Sequence, residues 1–513
     1  EQDRDERNFI SFIDTQYHIL LKNFIESPLL KLINKPNVKY LKSLASAISI
    51  INNQSKKIEF IRRVRNNEKI NWHIEGPFDT SYSLAILNRN YALAMNKLGQ
   101  KVSLFCTDGP GDYKPNSSFL EKNIFVNNLF QRGINSKDSF FICTRNLYPP
   151  RVKDVNGVVN LLHAYGWEES EFPKHFVDEF NSNLQGITVM SEQVQKCLID
   201  NGVYLPIKVT GLGVDHLSQI NSINDFKLKA NKFKILHISS CFPRKGIDIL
   251  LQAFANTFTS RDDVSLIIKT FDNPHNLIDS QLDNFRKNFV DFPDVIVIKE
   301  ELNDSQIKSL YLQSNLLVAP SRGEGFGLPI AEAMLLEIPV ITTNWGGQKD
   351  FCNNDNSWLI DYEFVPSESH FNLDNSYWAE PSLEHLCYLL RKHYDLDNIS
   401  KERKIIQAKK DIVKLSWDKV ALRNLNFVNN ELIYYPHRTM KLGCISTWNS
   451  KCGIASYSKN LFKHISDEVI IFSPHDEELS AKQDERVMPS WDYNSDLLSC
   501  ANLIINAGIT SLI

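Results

Sequence analysis

From residue 70 onward the chain alternates two hydrophobic rhythms. Apolar-rich runs of about five or six residues, such as Ile70–Ile74, Lys101–Cys106 and Phe233–Ile238, are too short for buried helices and read as strands. Between them lie longer stretches with apolar residues three and four apart. Ser83–Leu98 closes at Gly99, and a helix from Ile247 to about Phe258 follows Gly246. Further strands are predicted at Ser139–Thr144, Val158–Leu162, Gly186–Met190, Val264–Ile268, Asp294–Ile298, Asn315–Pro320 and Pro339–Thr343. Such alternation builds parallel sheets with helices packed on both faces. After Trp378-Ala-Glu-Pro381 the pattern reads as helices to about Asn429. At Lys441 it begins afresh: a strand at Leu442–Ser446, a turn containing Ser and Gly, a helix, and a strand at Val469–Phe472.

Length and composition then set the scale. A chain of 513 residues is too long for one core. The pattern divides it into a helical linker or extension (1–68), two Rossmann-like domains (69–215 and 216–395), a helical segment (396–435) and the start of another Rossmann-like unit (436–513). Residues 1–68 show helical spacing at Phe9, Phe12, Ile13, Tyr17, Leu20 and Leu21, followed by Lys56, Lys57, Arg62, Arg63 and Arg65. They read as helices packing on neighbouring chain, with an amphipathic segment on an anionic membrane as the alternative. Hydrophobic content of 42%, charged content of 23% and a net charge of −4 describe a soluble globular protein with no electrostatic reason to bind nucleic acid. Nine scattered cysteines without CxxC spacing suit reduced thiols in a cytoplasm. No apolar run is long enough for a membrane span. The chain opens on Glu1 and ends on Ile513, and reads as a fragment of a longer protein.

The chemistry concentrates at Ser321-Arg-Gly-Glu-Gly-Phe-Gly-Leu-Pro-Ile-Ala-Glu332, a glycine loop between a predicted strand and a helix whose first turn holds Pro329. Its glycines allow close backbone approach, and the N–H groups of the new helix favour an anion. Glu324 in the turn and Glu332 about a turn into the helix can face one ligand. Carboxylates for sugar hydroxyls beside N–H groups for phosphate suit a sugar nucleotide.

This Glu-x7-Glu pattern around Gly-Phe-Gly-Leu-Pro resembles the signature of retaining glycosyltransferases of the family 4 type, which have the GT-B fold. The resemblance implies an α/β architecture of two Rossmann-like domains facing each other across a cleft, with final helices crossing back onto the first. It gives Glu324 a contact to the donor sugar and Glu332 one to the nucleotide ribose, with Gly325, Phe326, Gly327 and Leu328 forming the donor loop. Lys245, in Pro-Arg-Lys-Gly, matches the family's phosphate-binding Lys. The Arg that the family carries five residues earlier is Ser240 here, so Arg244 and Lys269 are candidates for further donor-side cations. His163 is the candidate for the His over the donor sugar, with a buried core histidine as the alternative. The turn Gly76, Asp79, Ser81 and Tyr82, together with Glu168 and Arg145, supplies candidate acceptor contacts. Either Glu168 or Glu169 could instead cap the following helix, and Arg145 could hold a structural carboxylate.

No zinc motif stands out, and Asp395-Leu-Asp397 lies in a polar segment after a helix, so metal-independent transfer from a GDP- or UDP-linked sugar is expected. The resemblance implies a hexosyltransferase, mannose being the favoured sugar, acting on a glycan or lipid-linked acceptor in surface polysaccharide assembly. It would work in the cytoplasm, with the inner face of the membrane as a second site. The competing expectation is an inactive GT-B glycan-binding or scaffold module, which the serine at position 240 favours.

Overall fold

The computed structural model describes residues 59–512 apart from 61, 65, 67, 81, 136–139, 223–225, 370, 397, 433–440, 449, 465–467, 476–485, 493–499, 501–502, 505–506, 508 and 510. The chain divides into two units, residues 1–70 and 71–513. In the first, Glu59 and Arg63 pair one helical turn apart at 2.6 Å. The apolar positions read at 9–21, the pair Lys56–Lys57 and Arg65 lie outside the described residues.

The second unit opens with a sheet built from β1 (Asn71–Glu75), β2 (Lys101–Phe105), β3 (Phe140–Arg145), β4 (Gly157–Tyr165), β5 (Gly186–Val189) and β6 (Ile207–Val209). All pairings are parallel, in the order β2-β1-β3-β4-β5-β6. Its helices are α1 (Ser83–Lys97), α2 (Ser117–Lys122), α3 (Ile124–Asn135), α4 (Lys174–Asn183) and α5 (Glu192–Asp200). The central strands are apolar on both faces because helices cover both sides, and Trp72, Ile74, Leu161 and Ile187 are essentially inaccessible.

A second parallel sheet follows: β7 (Phe233–Ile238), β8 (Val264–Lys269), β9 (Asp294–Ile298), β10 (Leu316–Ala319), β11 (Val340–Thr343) and β12 (Trp358–Ile360). Read from β9 its order is β9-β8-β7-β10-β11-β12, so chain direction across the sheet reverses between β7 and β10. Loops leaving those two strands diverge to opposite faces and open a crevice, the standard ligand position in open α/β sheets. Helices α6 (Ile247–Thr257), α7 (Ile278–Asn288), α8 (Asp304–Leu312) and α9 (Leu328–Leu335) cover this sheet.

Helices do follow Trp378–Pro381, but that stretch is itself a strand rather than a loop. It belongs to an antiparallel hairpin, β13 (Tyr362–Pro366) with β14 (Tyr377–Pro381). Its burial is irregular and largely on one strand, so neither helical nor strict two-residue periodicity marks it in sequence. Then come α10 (Leu383–Asp395), α11 (Asn398–Ile412) and α12 (Trp417–Asn430). Helix α12 docks on the first sheet, where Thr188 Oγ1 donates to Asn424 Oδ1 at 2.9 Å and Arg423 donates to the Thr210 carbonyl at 2.8 Å. A four-stranded parallel sheet ends the chain, in the order β17-β16-β15-β18: β15 (Lys441–Ile445), β16 (Glu468–Pro474), β17 (Val487–Trp491) and β18 (Ser511–Leu512), with helix α13 (Gly453–Leu461). All nine cysteines are free. Among the described residues no helix is long and apolar enough to cross a membrane.

Candidate active site

The turn after β7 and the loop after β10 meet at the crevice. Lys245 Nζ donates to Glu324 Oε1 at 2.7 Å, and Ser321 Oγ donates to the same oxygen at 2.8 Å. Burial alone would raise the Glu324 carboxyl, but the Lys245 ammonium and the Arg244 guanidinium outweigh it and hold it below the usual range. Burial, then Arg244, lowers the Lys245 ammonium.

A residue inside the motif holds these loops together. Arg322 spans Asp248 at 2.7 and 2.8 Å and Glu380 at 2.5 and 2.8 Å, and donates to the Pro243 carbonyl at 2.6 Å. Its guanidinium lies 5.4 Å from the Trp378 ring centre. Two opposed carboxylates fix this planar fork, and with it the Pro243–Lys245 turn against the glycine loop. The sequence reading gave Arg322 no role. Its signal was available, since a cation in a loop of glycines and acids needs a partner.

Gly327 adopts φ +87° at the start of α9, a left-handed bend that a side chain resists. Phe326 packs on Phe351 at 5.0 Å, and Leu328 is buried. Glu332 is buried in α9, its Oε2 accepting from the Tyr311 hydroxyl at 2.7 Å. His216, from the segment joining the two sheets, brings Nε2 to 3.2 Å from Glu332 Oε1. From the first lobe, Arg89 on α1 reaches Asp304 at 3.5 Å and is influenced by Glu332.

The first lobe closes directly on this loop. Glu168 Oε1 lies 3.1 Å from Arg244 Nη2, so Arg244 faces the cleft rather than solvent. A Cβ on Gly323 would sit 2.2 Å from the Glu168 carbonyl oxygen, and one on Gly325 would sit 3.0 Å from Met190 Sδ. Glu169 accepts from the hydroxyls of Ser367 and Ser376 at 3.0 and 2.8 Å, in the loop of the β13–β14 hairpin. Neither acid caps a helix: α4 begins four residues beyond Ser170, with Pro173 at its N-cap.

Other candidates are differently placed. Lys269 ends β8 beside the Ile238 end of β7, donating to the Thr270 carbonyl at 2.9 Å. The Ser240 carbonyl accepts from Asn273 at 2.9 Å. His163 lies within β4, which runs to Tyr165, three residues past its predicted end. Its ring is fully buried, stacks on Tyr91 at 4.6 Å and places Nε2 at 2.8 Å from Asn88 Oδ1, so the imidazole serves the core. Arg145 is buried and spent on Glu75 at 2.6 Å, on Asp154 at 2.5 Å and on the Arg151 carbonyl, the structural-carboxylate alternative. Asp79 anchors the Asn116 amide at 2.7 Å. Gly76 brings its backbone against the Asn146 carbonyl. Tyr82 stays 45% exposed, and Ser81 lies outside the described residues.

Residues 218–365 match the family model of glycosyl transferases group 1. That match covers less than half of the chain and lies on the second six-stranded sheet and the loops that follow its strands. The capsular polysaccharide biosynthesis glycosyltransferase CapM of Staphylococcus aureus is 30% identical over 186 residues, 34% of this chain and 47% of that protein. An uncharacterized 41.2 kDa protein in the cps region of Klebsiella pneumoniae is 25% identical over 158 residues, 29% of this chain and 40% of that protein. The chain thus spans less than half the length of these curated relatives. In fold it resembles sucrose-phosphate synthase from Thermosynechococcus elongatus (TM-score 0.52, 16% identity, 69% of this chain and 97% of that one). A glycosyltransferase from Rickettsia africae is equally similar (TM-score 0.52, 17% identity, 72% and 100%). The two six-stranded sheets have the GT-B fold, and the matched segment lies in the second lobe, which carries Lys245, Glu324 and Glu332.

Proposed function

We propose that the chain transfers a hexose, mannose in the favoured case, from a GDP- or UDP-linked donor to a glycan or lipid-linked acceptor, with retention and without a metal. The observation that carries this reading is the Lys245–Glu324 contact at 2.7 Å, between loops flanking the strand-order reversal. Capsular polysaccharide assembly is the favoured setting, on the likeness to CapM.

Departure of the nucleoside diphosphate concentrates negative charge on its phosphates. Lys245, Arg244 and the N-terminus of α9 meet that charge from fixed positions. Glu324 accepts from donor-sugar hydroxyls, and Glu332 from the ribose. Glu324 is engaged by Lys245 and Ser321, and Glu332 by Tyr311, so neither acts as a covalent nucleophile. The acceptor hydroxyl then attacks on the face from which phosphate leaves, and a phosphate oxygen takes its proton. The exposed Tyr82 and the Glu168 carboxylate border the side from which an acceptor would enter.

Incubating the purified full chain with a panel of GDP- and UDP-sugars and a saccharide acceptor, and following nucleoside diphosphate release, tests the proposal. Release with one donor and an anomer-retaining product is the expected result. Tight nucleotide binding without turnover would instead favour the inactive module, for which Ser240 in place of a second cation is the supporting observation.

A further inference from the structure

Beside Glu332 stands a polar group that belongs to no motif. The His216 side chain is only 8% exposed. Trp417, the first residue of α12, directs its indole N–H to His216 Nδ1 at 3.2 Å. An indole nitrogen can only donate, so Nδ1 accepts and the ring proton sits on Nε2. Nε2 lies 3.2 Å from Glu332 Oε1, yet its orientation completes no hydrogen bond among the described residues. Buried donors are rarely left in this state, and here the N–H lies beside the carboxylate's free oxygen with its proton directed away from it. Glu332 Oε2 is fixed by Tyr311, while Oε1 keeps its accepting capacity.

One oriented donor therefore adjoins one oriented acceptor, both fixed from behind. A vicinal diol is their complement: one hydroxyl donates to Glu332 Oε1 while its neighbour accepts from the His216 N–H. We propose that His216 contacts the ligand directly, pairing with Glu332 to recognise the ribose diol of the nucleotide, with Tyr311 and Trp417 as positioning residues. This rests on the donor-site reading above and adds ligand selectivity to it. It also accounts for the placement of His216 in the interlobe segment, where α12 and α9 both reach it.

The test is calorimetric binding of UDP and GDP, and of their 2′,3′-dideoxy counterparts, to the full chain. The ratio of ribo to dideoxy affinity reports on the pair and cancels general loss of folded protein. Wild type should prefer the ribo form of its nucleotide by roughly tenfold or more. His216→Phe should erase most of that preference, whereas His216→Gln, which keeps a side-chain N–H, should retain much of it. Trp417→Phe and Tyr311→Phe should each reduce it part-way. Equal binding of both forms by wild type, or an intact preference in His216→Phe, overturns the inference while leaving the donor site standing. No binding of either nucleotide overturns the donor reading itself.

Discussion

The two sides of the cleft use their charges differently. On the second-lobe side Lys245, Arg244 and Glu324 stand in loops and Glu332 near the start of α9, paired with one another or with a few partners around the crevice. On the first-lobe side the comparable residues build the lobe. Arg145 neutralises Glu75 and Asp154, His163 fills the space beneath α1, and Asp79 ties the turn to Asn116. The contrast follows from topology. Loops at a strand-order reversal have no neighbouring crossover to pack against, so their polar groups face the crevice. Polar groups inside or just after central strands are enclosed, and must be satisfied internally.

The largest effect should come from the second-lobe side of the crevice. Lys245→Ala is expected to lower kcat/KM by roughly 10- to 150-fold, the loss of one charge-assisted contact in the transition state. Wild-type rates in that variant would erase the contrast. Arg145→Met should do the reverse, leaving donor affinity alone but costing about 3–5 kcal/mol of stability, because Glu75 is left buried without its partner. Denaturant unfolding measures this, and an unchanged midpoint refutes a structural role.

The buried imidazoles supply a pH test. Burial pushes His163 and His393 down to about 3. It pushes His73 and His237, each beside a cation, down to about 4. Their unfolded value near 6.5 is higher, so as pH falls below 6.5 the unfolded chain takes up protons that the folded chain refuses. Their contribution to stability, full above that value, is lost by up to about 1.4 kcal/mol per pH unit for each group. Thermal unfolding between pH 7.5 and 4.5 should show this slope, and His163→Phe should flatten it by one proton. An identical slope in the variant contradicts burial as the cause. Tyr82→Phe should be smallest, changing acceptor KM by less than about tenfold with donor affinity untouched. A drop in donor affinity instead would move Tyr82 to the other side of the comparison.

The same distinction explains what sequence could reveal. The parallel strands were legible because apolar runs buried on both faces have few other homes, and the glycine loop because its residue types serve no common structural need. The hairpin β13–β14 was hidden by its irregular burial. The extension of β4 through His163 was hidden by a bulge at residues 163–164, where Ala164 takes φ +46°. His216 and Arg322 escaped because their partners lie far off in sequence: Trp417 for one, Asp248 and Glu380 for the other. Arg145 ends β3 and Arg244 lies in the turn after β7, and only the fold separates a strut from a cleft cation.

The fastening of Glu168 to Arg244, and of Glu169 to two serine hydroxyls across the divide, bears on traffic. On the proposed donor reading, a sugar nucleotide would have to exchange these bonds for its own, so admission would compete with a latch rather than with water alone. Salt, which loosens the latch, should speed entry while weakening the final grip on phosphate. Arrival and retention would then respond to ionic strength with opposite signs.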